Sequence, residues 1–112
     1  MAKNLQEGVL LDFYGELLTD KQKKALELYY NEDLSLAEIA EDMQVSRQGV
    51  RAFIKQGEAH LKEFEEKLGM YERFSSISKL SKEAKTAASG LPESKKKLIE
   101  IIDEIEHHLQ GR

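Results

Sequence analysis

Arg47, Gln48, Arg51 and Lys55 follow one another at spacings of 1, 3 and 4 residues, with Ser46 just ahead of them. No acid interrupts residues 45–57. A guanidinium is a planar fork of donors that matches two neighbouring acceptors, on a phosphate or on the edge of guanine. A carboxamide pairs a donor with an acceptor and matches adenine, and an ammonium is a point charge suited to phosphate. On a helix, at roughly 100° per residue, these side chains share one face. Val50, Phe53 and Ile54 turn to the other. The types and spacing suit the major groove of a double-stranded nucleic acid. They also suit a plainer reading, in which the polar face of a helical hairpin is simply solvated.

Other chemistry has little support. His60 lies mid-helix among Glu58, Lys62 and Glu63, and no carboxylate–histidine spacing there makes a metal pair. His107 and His108 adjoin the C-terminus, where cations suit the end of a helix. The adjacent Glu65 and Glu66 read as an exposed, solvated face. No glycine-rich phosphate loop, nucleophile elbow or His-Glu-x-x-His pattern occurs. The chain is read as no enzyme, with no metal and no cofactor.

The elements that position Ser46 to Lys55 lie in SLAEIAEDMQVSRQGVRAFI, residues 35–54. Ser35 and Glu38 have the spacing of a capping box, in which each side chain satisfies the other residue's backbone N–H. Leu36, Ile39, Ala40 and Met43 recur at helical spacing, and Ala40 is small enough for a second helix to cross closely. Gln44 and Val45 make a tight turn, and Ser46 caps the next helix. This is the pattern of a helix-turn-helix, whose second helix enters a major groove N-terminus first.

The remaining chain reads as helical throughout. Residues 5–18 form an amphipathic helix through Leu5, Val9, Leu10, Phe13, Tyr14, Leu17 and Leu18. Thr19 caps residues 20–31, with Gln22 at the capping-box position. Lys21, Lys23 and Lys24 are exposed there. Lys23 and Lys24 oppose the helix dipole and suit either an external anion or plain solvation. Beyond Ile54 a heptad seam, Val50, Ile54, Gly57, Leu61, Phe64, Leu68 and Tyr71, requires a partner helix from this chain or from a second subunit. Ser75–Gly90 is rich in serine and alanine, with Lys79, Lys82 and Lys85, and reads as a weak helix or a mobile connector. Pro92 opens a last helix over about 92–109 that buries Leu98, Ile101, Ile102, Ile105 and Leu109. Lys95, Lys96 and Lys97 lie near its start.

The expected fold class is therefore all-α. It is a helix-turn-helix bundle without a wing, over residues 1–71, with an extended recognition helix. Residues 72–112 form a C-terminal helical extension docked on the body or on a second subunit. The chain has 112 residues, 40% apolar and 34% charged, with no cysteine, which excludes a disulfide scaffold and agrees with a cytoplasmic location. No apolar run spans a bilayer, so no membrane partner is expected. The net charge is −4, and Glu38, Glu41 and Asp42 place −3 on the first helix of the motif. Nucleic-acid binding through this surface is expected to be modest, salt-sensitive and dependent on dimerisation.

LTDKQ, ELYY, DLSLAEIAE, VSRQ and MY occur in that order within residues 17–71. This block resembles the YlxM-type helix-turn-helix family and, more loosely, the fourth region of bacterial sigma factors. A start like LLDFYGELL at residues 10–18 extends the likeness. The resemblance implies that Ser46, Arg47, Gln48 and Arg51 stand at positions of a sigma-like recognition helix. Gly49 departs from the larger residue of sigma factors. It further implies a regulator linked to the signal recognition particle pathway. Two functions follow as expectations. One is a dimeric regulator of double-stranded DNA, with Arg47, Gln48 and Arg51 on base edges and Lys55, Lys21, Lys23 and Lys24 steering to phosphate. The other is an adaptor for the RNA or protein component of the signal recognition particle.

Overall fold

A computed structural model describes residues 3, 5–90 and 96–109. The chain divides into two compact units, Met1–Gly69 and Met70–Arg112. The first holds α1 (Leu5–Tyr14), a short 3₁₀ turn (Gly15–Leu17), α2 (Asp20–Tyr30), α3 (Leu36–Met43) and α4 (Arg47–Leu68). The second holds α5 (Met70–Ala88) and α6 (Lys96–Leu109). No helix among the described residues is long and apolar enough to cross a membrane.

Local chemistry sets most of these boundaries. The Thr19 side chain accepts from the Gln22 N–H at 3.2 Å, and the Gln22 side chain reaches back to the Thr19 N–H at 3.5 Å. Ser35 and Glu38 make the same reciprocal pair at 3.1 and 3.0 Å, which starts α3. At the far end of α4, Gly69 takes the left-handed conformation (φ 62°) and its N–H donates to the Glu65 carbonyl at 2.8 Å. Glycine adopts that conformation without the clash a Cβ brings, so α4 stops there.

Around α4 the first unit buries its core. Val50, Ile54, Gly57 and Leu61 face inward, and the helix packs against α1, α2 and α3. Ala25, Leu26 and Tyr29 of α2, Ile39 and Ala40 of α3, Leu10, Leu11 and Tyr14 of α1, and Leu18 complete the apolar interior among the described residues. The seam on α4 thus finds its partners in its own chain. At Gly57 a Cβ would stand 2.6 Å from Leu26 Cδ1, so this glycine lets α2 and α4 touch. The Tyr14 hydroxyl donates to Glu65 Oε1 at 2.6 Å and its ring lies beside Phe64, fastening α1 to the C-terminal part of α4.

The structure differs from the sequence expectations at four places. The first helix ends at Tyr14 and tightens into the 3₁₀ turn, which leaves Leu17 exposed, and Leu5 is exposed at the other end. Leu68, the next step of the heptad seam, is exposed where α4 ends, and Tyr71 belongs to α5. Residues 75–88 are regular helix, because serine and alanine keep enough helix propensity for the apolar positions to hold them. On α6 only Ile102 is buried. Leu98, Ile101 and Ile105 are exposed and Leu109 is half-buried, because α6 packs on α5 by the edge of its apolar stripe. Pro92 and Lys95 lie outside the described residues.

Candidate nucleic-acid interface

The helix-turn-helix consists of α3, residues 44–46 and α4. Gln44 takes the left-handed conformation (φ 58°, ψ 45°), which turns the chain sharply after Met43. The Val45 N–H then donates back to the Ala40 carbonyl at 3.1 Å, closing the end of α3. Ser46 is extended and its hydroxyl accepts from the Gly49 N–H at 2.9 Å, which opens α4. Gly49 lacks the Cβ that would sit 3.3 Å from that hydroxyl, so the first turn of α4 is open at the cap. No acid stands in this turn, so no side-chain carboxylate there offsets the positive end of the α4 dipole.

Ser46, Arg47, Gln48, Arg51 and Lys55 are all exposed, and by helix register the last four share one face of α4. Buried Val50 and Ile54 hold the opposite face against the core, which fixes the rotation of the helix. Among the described residues no carboxylate pairs with Arg47, Arg51 or Lys55, whereas Lys3, Lys23, Lys24 and Lys67 of this unit pair with carboxylates.

The lysines of α2 divide on this point. Lys23 pairs with Glu16 and lies 3.8 Å from Glu27. Its ammonium is held above the ordinary lysine range, first by the hydrogen bond to Glu16. Lys24 lies 3.6 Å from Asp42. These two lysines oppose the helix dipole yet have internal carboxylates as partners. Lys21 is exposed and has no ion pair among the described residues. The structure therefore brings Ser46, Arg47, Gln48, Arg51 and Lys55 together, leaves Lys21 exposed on α2, and ties Lys23 and Lys24 to acids.

It also adds Gln44, an exposed amide in the turn just ahead of Ser46. The sequence signal for it was a long polar side chain inside a very short turn. Glu38, Glu41 and Asp42 are exposed on α3 and line a shallow depression with Leu34. Backbone and side-chain hydrogen bonds with Ser35 hold the Glu38 carboxyl below its ordinary range, so it stays charged.

Comparison with known proteins agrees with this architecture. The model of a family described as "Putative helix-turn-helix protein, YlxM / p13 like" matches residues 1–108. A UPF0122 protein of Bacillus velezensis is 43% identical over 108 residues, covering 95% of this chain and 98% of that protein. The UPF0122 protein YlxM of Bacillus subtilis is 41% identical over 108 residues, with coverage of 95% and 98%. A UPF0122 protein of Acetivibrio thermocellus is 53% identical over 74 residues, 66% of this chain and 63% of its own length. With caps, turn and exposed basic helix in place, and with the two Bacillus relatives matched along nearly their whole length, the chain belongs to the UPF0122 family of YlxM/p13-like helix-turn-helix proteins.

Proposed function

We propose that the protein is a cytoplasmic, dimeric DNA-binding regulator that lays the first turns of α4 in successive major grooves. The observation that carries this reading is the set of cations on α4 that have no carboxylate partner among the described residues, in a unit that neutralises Lys23, Lys24 and Lys67 internally. Arg47, Gln48 and Arg51 read base edges. Lys55 and Lys21 contact phosphate, with Ser46 and the capped N-terminus of α4 nearby. Lys23 and Lys24 contribute least, since phosphate would have to displace their carboxylates. Affinity is modest at physiological salt because few cations face the duplex.

Selection of binding sites from random duplexes tests the assignment. Arg51→Ala should lose discrimination worth about 1–3 kcal/mol at one base pair of each half-site. An unchanged sequence preference would remove Arg51 from base reading.

A second reading is supported by the exposed acids of α3. Glu38, Glu41 and Asp42 form a negative surface that a basic protein could meet, and on this reading the partner is a component of the signal recognition particle. If that partner is a component of the particle, it should be recovered with the protein after nuclease treatment. Its loss on RNA digestion would assign the contact to RNA.

A further inference from the structure

The second unit keeps little of its apolar surface dry. Among its described residues only Ala88 and Ile102 are buried, while Ile77, Leu80, Leu98, Ile101 and Ile105 are 43–63% exposed. On α6, Leu98, Ile101 and Ile105 step by 3 and 4 residues and form one continuous stripe. That stripe lies beside the edge through which Ile102 packs on α5. Ile77 and Leu80 add exposed apolar surface on α5. A stripe of this kind on a short helical pair is an interaction surface and not ordinary scatter.

Charge says what covers it. α5 carries Arg73, Lys79, Lys82 and Lys85 against Glu72 and Glu83, for a net +2. α6 carries Glu100, Asp103, Glu104 and Glu106 against Lys96 and Lys97, for a net −2. Within the chain the two helices use this complementarity through the pair Lys85–Asp103 at 2.5 Å. A second copy offers the same positive α5 and negative α6, so the pair is complementary to itself under a two-fold rotation. An acidic or a basic foreign partner would be repelled by one of the two helices.

We propose that the exposed faces of α5 and α6 form the homodimer interface, with a second copy of this chain as the occupant. Leu98, Ile101 and Ile105 of one copy lie against α5 of the other, at its Ile77 and Leu80, and the unlike charges flank the contact. The α4 seam, already filled by α1, α2 and α3, takes no part. This deepens the dimer of the proposed function and does not depend on DNA being the ligand.

Sedimentation of the full chain, without nucleic acid, over about 1–100 μM tests it. The wild type should approach twice the 12.8 kDa chain mass. The double variant Ile101→Ser, Ile105→Ser should sediment as a monomer with unchanged helical circular dichroism, since both side chains are exposed in the single chain. If that variant loses helicity, Leu80→Ser should still weaken the dimer by at least tenfold. A monomeric wild type would mean that the stripe is covered by its own chain or by a foreign partner, and would overturn the proposal. Dimers unaffected by all three substitutions would place the interface elsewhere and overturn it equally. A dimer that binds no DNA would leave this interface standing and overturn only the DNA reading.

Discussion

Gly57 lets α2 and α4 approach closely, and it does so by having no side chain. Leu26, its neighbour, is fully buried, so its methyl group has nowhere to go when a Cβ arrives 2.6 Å away. Gly57→Ala should therefore destabilise the protein by about 1–3 kcal/mol despite its better helix propensity, as overpacking of a filled core does. A urea melt checks this, and an unchanged or raised midpoint would mean that α2 and α4 can part without cost. That a glycine occupies the heptad seam was legible. Which residue it met was not, because Leu26 lies 31 positions away in sequence. The partners of Lys23 and Lys24 were hidden for a similar reason. Glu16 lies outside α2, and Asp42 stands on another helix. Helical periodicity describes one element at a time.

At the scale of elements, starts were legible and ends were less so. The three caps, Thr19, Ser35 and Ser46, are local chemistry and stand where the sequence pattern puts them. The end of α1 was obscured because Leu17 and Leu18 keep helical spacing even though the backbone has tightened at Gly15. Burying the ends of α1 and α2 against α4 brings acids together. Tyr30 donates to Glu58, and Glu7 stands close enough for Glu58 to repel it. Burial, above all, holds the Glu7 carboxyl above its ordinary value, Glu58 adds to the shift, and Lys62 offsets part of it. The folded chain thus keeps this proton to a higher pH than the unfolded chain does. Stability is full below the unfolded value and declines as pH rises through the folded one. Glu7→Gln should raise stability near pH 7 by a few tenths of a kcal/mol, the residue being only partly buried, with no gain near pH 4. Thermal melts at the two values check it, and an equal gain at both would point to packing instead of charge. Losing the cap has a different signature. Ser46→Ala should cost about 1 kcal/mol at either pH and weaken nucleic-acid binding, because the first turn of α4 frays.

For the whole molecule, the first unit was more legible than the second. Residues 5–69 hold strong helical periods and a filled core, so pattern and structure agree on which face of α4 turns inward. The serine- and alanine-rich run gave no clear sign of a regular α5. The stripe on α6 was plain in the sequence, but periodicity identifies an apolar face without saying how much of it a neighbour covers. The molecule as a whole is acidic, with a net charge of −4, yet it leaves Arg47, Arg51 and Lys55 without carboxylate partners among the described residues on one helix face. That contrast is the central claim, and salt dependence tests it most directly. Affinity for duplex DNA, measured between about 50 and 200 mM salt, should fall steeply. For Lys55→Ala the slope of log K against log salt should be smaller by about 1 for each subunit bound, with sequence preference unchanged. Binding that ignores salt, or a slope identical in Lys55→Ala, would contradict the account and leave α4 as a scaffold for some other partner.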